Sequence, residues 1–170
     1  MSDGRRWDKP GIPHRGWWTV DVIDLNPDEE PADQVDYATC EMCDHHPIRY
    51  VHVLDHPGHD RLEVGRICAQ RMTGDYVGPR RREQALRNRA ARRSKWLGRR
   101  WRTSSKGNFY LEDKGVNLGV FASPYHPGRW GARIGKRFGR GTYATSEAAK
   151  LALFEEYERA RSHAPLEATR

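Results

Sequence analysis

The sequence predicts an α+β fold built from two small modules, and three observations carry that expectation. A hydrophobic share of 36% over 170 residues favours two modest cores over one deep core. Short alternating stretches on both sides of residue 80 read as strands, and two longer segments, 79–97 and 146–160, read as helices. The expected organisation is an N-terminal strand and hairpin module over 1–78, a connecting helix over 79–100, a sheet-plus-helix module over 101–163 and a tail over 164–170.

Each element has a local reason. Residues 16–24, GWWTVDVID, alternate bulky and polar groups as a strand does, and NPDEEPADQVD (26–36) is an acidic loop with two prolines. IRYVHVLD (48–55) reads as a strand, HPGHD (56–60) as a turn and RLEVGRI (61–67) as the return strand. From Gly78-Pro79 a helix runs towards Leu97, with proline suited to its first turn. Leu86, Ala90, Leu97 and Trp101 fall on one narrow face of it. Beyond Gly98, Lys-Gly-Asn, Asp-Lys-Gly and Pro-Gly turn signals separate WRTSS (101–105), NFYLE (108–112), VNLGVF (116–121), RWGARIGKR (129–137) and GTYAT (141–145). The last three stretches, followed by the helix SEAAKLALFEEYERA (146–160), form a small three-stranded antiparallel sheet with one packed helix. Thr145 is placed to cap that helix.

Charge is concentrated. Residues 80–102 hold eleven Arg or Lys against one Glu, a local +10, so the rest of the chain carries −3 of the total +7. Ten uncompensated charges in so short a segment repel one another, which favours an anionic partner over a merely solvated helix. No apolar run reaches the length of a membrane span, and the first residues lack the apolar centre of a signal peptide. The expectation is a cytoplasmic protein without a membrane partner, nucleoid-associated if it binds DNA.

All three cysteines and five of the eight histidines lie in residues 38–72. Cys40 and Cys43 have the Cys-x-x-Cys spacing of a knuckle, and Cys68 follows the hairpin. Knuckle, β-hairpin, then a third ligand entering a helix is the order of a treble-clef-like zinc module. Soft thiolates hold zinc tightly, and the ion substitutes for a missing core. Three cysteines make a poor disulfide framework. The fourth ligand is expected at His46, which follows the knuckle directly, with His45 and then His52 as alternatives, or a water. His56 and His59 sit at the hairpin tip, roughly 20 Å away at about 3.3 Å per residue.

The run CEMC…IRYVHVLDHP…LEVGRICAQRMTGDYVGPRRRE, within residues 14–105, resembles uncharacterised bacterial and phage proteins with a small zinc-finger-like segment. Arg66 and Arg71 stand where those proteins tend to carry further Cys or His. The stretch YVHVLDHPGHDRLEV also bears a likeness to HNH nucleases, which implies a metal nuclease using His52, Asp55, His56 and His59. This chain lacks that family's loop Asn and its helix His.

In the C-terminal module, period-two alternation puts Trp130, Ala132, Ile134 and Lys136 on one face and Arg129, Arg133 and Arg137 on the other, with Ala132 and Ile134 expected against Ala149, Ala152 and Leu153 of the helix. The elements GRWGARI, GTYAT and the alanine-rich helix resemble the APETALA-type DNA-binding domain, also found beside phage integrase domains. That resemblance implies that the outer face enters a major groove. The expected function is therefore non-enzymatic binding of nucleic acid, double-stranded DNA first and RNA as an alternative, in a phage- or mobile-element-related regulator. Arg80, Arg81, Arg82, Arg89, Arg92, Arg93, Arg99 and Arg100 would meet phosphates, while Arg129, Arg133 and Arg137 would meet the groove. The alternative from another class is an inhibitor or interaction module that binds an acidic protein surface.

Overall fold

The computed structural model describes residues 9–163, so the tail expected at 164–170 lies outside the described residues. Among the described residues the architecture is α+β, with two antiparallel sheets and three α-helices. The chain divides into two compact units, Met1–Ala91 and Arg92–Arg170. The division falls inside the arginine-rich helix, so the segment expected as a separate connector is shared between the units. Among the described residues no helix is long and apolar enough to cross a membrane.

The first unit contains β1 (Trp18–Asp24), β2 (Tyr50–His56), β3 (His59–Val64), α1 (Arg66–Thr73) and most of α2 (Gly78–Ser94). The sheet runs β1-β2-β3, so the N-terminal strand joins the expected hairpin as its third strand. The eight-residue α1 takes up what the sequence reads as the end of the return strand. It begins after extended Gly65 and ends at left-handed Gly74, and it buries Cys68, Ala69 and Met72 on one face. Trp17, Met42, Leu54 and Val64 complete this core.

Asp75 starts α2: its carboxylate accepts from the Val77 and Gly78 amides at 3.0 and 2.7 Å. The Gly78 and then the Val77 amide hold that carboxyl below its ordinary range. The helix buries Pro79, Glu83 and Ala90. Glu83 is the single acid of the basic run, and it is buried because His52 is fully buried opposite it, with Nε2 3.0 Å from Glu83 Oε1. Arg66 Nη1 lies 3.5 Å from the other carboxylate oxygen. Glu83→Ala should therefore cost about 1–3 kcal/mol in denaturant unfolding, by leaving a buried imidazole nitrogen without its partner. Glu83→Gln, which can still reach His52, should cost less; equal losses would mean that the hydrogen bond is immaterial.

The second unit contains β4 (Arg102–Thr103), β5 (Phe109–Asp113), β6 (Val116–Ala122), β7 (Trp130–Ile134), β8 (Arg137–Phe138) and α3 (Ser146–His163). Its sheet has five strands in sequence order, not three. The stretch 129–137 is not one strand: Gly135, at φ +58°, turns the chain back so that β8 pairs with β7. Residues 141–145 contribute only a bridge between Tyr143 and Trp130. Leu118, Val120 and Ala132 pack with Ala149, Leu153 and Phe154 of α3, as the alternation predicts. Thr145 Oγ1 accepts from the Ala148 amide at 3.1 Å and caps that helix.

The arginine-rich helix stops at Ser94, short of Leu97. Trp96, outside the expected apolar stripe, is 3% exposed in the second core, whereas Leu97 is 40% exposed. The Trp96 indole donates to Lys150 O at 2.7 Å and meets Phe154 and Trp101 edge-on. Burying so large a ring outweighs continuing a helix by one turn.

Candidate functional site

The knuckle is closed by its own backbone. The Cys40 amide donates to His45 O at 2.9 Å, and the Asp44 amide donates to Cys40 O at 2.8 Å, with Asp44 at φ +57°. The hairpin then returns the chain so that α1 delivers Cys68 to the same point. The three sulfurs lie within 4.8 Å of one another; Cys40 and Cys68 are buried and Cys43 is partly exposed. Around a tetrahedral zinc with bonds of about 2.3 Å, sulfurs stand about 3.8 Å apart, so this cluster fits the ion with little rearrangement. No disulfide joins them.

The electrostatics of the cluster favour a thiolate. The Cys68 thiol hydrogen-bonds to Cys40 and pushes it down to about 5, and the Gly65, Cys43 and Met42 backbones add to this against burial. The same sharing raises Cys68, as do its burial and the neighbouring Cys40 and Cys43 sulfurs. Three sulfurs crowded around one point, with backbone groups turned onto one of them, form a set that a soft cation would neutralise.

His46 is not part of this group. Its Nδ1 lies 3.1 Å from Ala38 O and 3.3 Å from Thr39 Oγ1, so backbone geometry just past the knuckle turns the ring towards the preceding segment. His52, the third choice, is committed to Glu83. His45 also lies outside the sulfur group, but it lines the cavity of about 460 Å³ that contains all three cysteines, together with Arg66, Arg71 and Glu83. Of the nuclease-like set, His56 and His59 flank the Trp17 ring at 4.9 and 5.4 Å, and His52 is enclosed in the core. Among the described residues only the cysteines gather as a potential metal-binding group.

The basic residues separate into distinct kinds. Arg80, Arg81, Arg82 and Arg87 on α2 are exposed, and no ion pair is formed by them among the described residues; Arg87 lies over the Tyr50 ring at 5.7 Å. Arg92 pairs with Glu158, Arg93 with Glu155 and Arg99 with Asp113, so these three cations neutralise carboxylates of the second unit. Arg89 is partly buried and Arg100 exposed. The ten charges are thus less uncompensated than the sequence predicts, because acids distant in the chain return to α2 and to the loop after it.

The expected outward row of Arg129, Arg133 and Arg137 does not form. Arg129 is tied to Thr142 Oγ1 and O at 3.0 and 2.8 Å. Arg133 does lie on the outer face. Arg137, beyond the Gly135 turn, pairs with Ile134 and so shares the face turned to α3, where it lines a groove with Glu156 and Arg159. No protein-family model, no curated protein and no solved structure matches this chain.

Proposed function

We propose that this protein is a zinc-stapled, non-enzymatic nucleic-acid-binding protein, in which Cys40, Cys43 and Cys68 hold a structural zinc in a treble-clef-like arrangement. The observation that carries the nucleic-acid reading is the exposed first half of α2. There Arg80, Arg81, Arg82 and Arg87 have no carboxylate within ion-pair distance among the described residues. Guanidinium groups spaced along a helix neutralise successive phosphates and release condensed counterions. The metal's part is architectural: α1 carries both Cys68 and Arg66, and Arg66 reaches Glu83 on α2. The resemblance to bacterial and phage zinc-finger-like proteins is compatible with this reading. A random-sequence duplex should be bound at low salt, with the logarithm of affinity falling linearly against the logarithm of salt. Salt-independent binding, or none, would instead favour an acidic protein partner.

The fourth zinc ligand in this reading is His45, which lines the sulfur-lined cavity and would have to turn its ring onto the three cysteines. His45→Ala should weaken zinc retention against a competing chelator about tenfold or more, whereas His46→Ala should leave it nearly unchanged. The reverse order would restore His46; equal retention in both variants would assign the fourth position to water.

A further inference from the structure

A single cross-strand row runs over the outer face of the second sheet. Register pairs Arg102 with Tyr110, Tyr110 with Gly119, Gly119 with Arg133, and Arg133 with Phe138, one residue from each of the five strands. Paired residues share a face, and the neighbouring Leu111–Leu118–Ile134 row is turned to the core, so this row faces away from α3. At about 4.8 Å per strand it spans roughly 19 Å.

Two glycines, Gly119 in this row and Gly131 in the one beside it, leave bare backbone on this face. A Cβ at Gly119 would lie 2.9 Å from Arg133 Nε and 3.2 Å from its Cζ, so the guanidinium lies across the bare backbone. A Cβ at Gly131 would lie 2.7 Å from the Phe121 ring, which crosses β7 in the same way. The Arg133 plane is fixed by Nη1 to Gly135 O at 2.6 Å and Nη2 to Asn117 Oδ1 at 2.7 Å. Phe138, 64% exposed, meets Phe121 edge-on at 5.5 Å. Tyr110, Phe121, Arg133 and Phe138 line one groove of about 510 Å³. A second groove of about 400 Å³ shares Tyr110 and Asn117 with it and adds Arg100 and Arg102, with Glu112 beside them.

We infer that this face binds single-stranded nucleic acid, stacking unpaired bases on Phe138, Phe121 and the Arg133 plane while Arg100 and Arg102 take phosphates. Planar groups laid on a sheet offer π faces, which unpaired bases match and which a duplex hides within its own stack. The flanking cations supply the complementary charge that a neutral peptide would not use. This surface is built from other residues than the exposed half of α2, so it extends the proposed function and can be tested apart from it.

The test uses the full chain with labelled oligo(dT), oligo(U) and a random duplex, and polyglutamate as competitor. Phe138→Ala should weaken oligo(dT) or oligo(U) binding about tenfold, leave duplex binding and the salt slope unchanged, and be restored by Phe138→Trp. Phe138 is exposed, so the variant should keep the wild-type unfolding midpoint. Unchanged oligonucleotide binding in Phe138→Ala would overturn the inference, as would equal loss on the duplex or competition by polyglutamate as effective as that by unlabelled oligonucleotide. If Arg80, Arg81 and Arg82 changed to Gln abolish duplex binding while the Phe138 effect persists, both surfaces stand; if they change nothing while the Phe138 effect persists, only the reading of α2 falls.

Discussion

Replacing Cys68 by alanine should abolish zinc binding at the proposed site and unfold most of the first unit. A structural zinc contributes on the order of 10 kcal/mol to a small module, more than the whole stability of many domains. Cys68 also sits in α1 among Met42, Val64 and Met72, so losing its hold frees the helix that Arg66 uses to reach Glu83. Limited proteolysis should then cut within residues 9–91 and spare the core of Trp96, Leu118, Leu153 and Phe154. Wild-type protein stripped by a chelator should show the same pattern. A Cys68→Ala protein with wild-type protease resistance would show that apolar packing alone holds the unit.

The second large effect is on binding. Changing Arg80, Arg81 and Arg82 to Gln should lower the salt slope on a duplex by about 2.7, at about 0.9 for each phosphate left without its guanidinium. Changing Arg92 and Arg93 should act differently, because their guanidinium groups are held by Glu158 and Glu155. That pair of changes should lower the unfolding midpoint of the second unit and leave the slope nearly intact. Equal slopes in the wild type and the first variant would place the phosphate-binding surface elsewhere.

What the sequence made legible was local. Cys-x-x-Cys, the hairpin with its His-Pro-Gly turn, the Thr145 cap and the Ala149–Leu153 face are all written in short-range spacing, and the structure has each of them. What it hid depends on distant partners. Trp96 reads as one more residue of a helix until Lys150 O and Phe154 are beside it. Glu83 reads as a stray acid, although its solitude among eleven bases was the available signal for a buried partner. Arg129, Arg133 and Arg137 read as a row because alternation was carried through Gly135, whose left-handed φ reverses the chain and resets the faces. The preference for His46 over His45 rested on sequence proximity, which cannot show that the ring turns back to Ala38.

The most direct measurement is the metal content of protein purified without added metal, paired with titration of its thiols. Zinc held by Cys40, Cys43 and Cys68 should appear at about one ion per chain, with the thiols slow to react until a chelator is added. A fully folded, metal-free protein whose three thiols react freely would contradict the account.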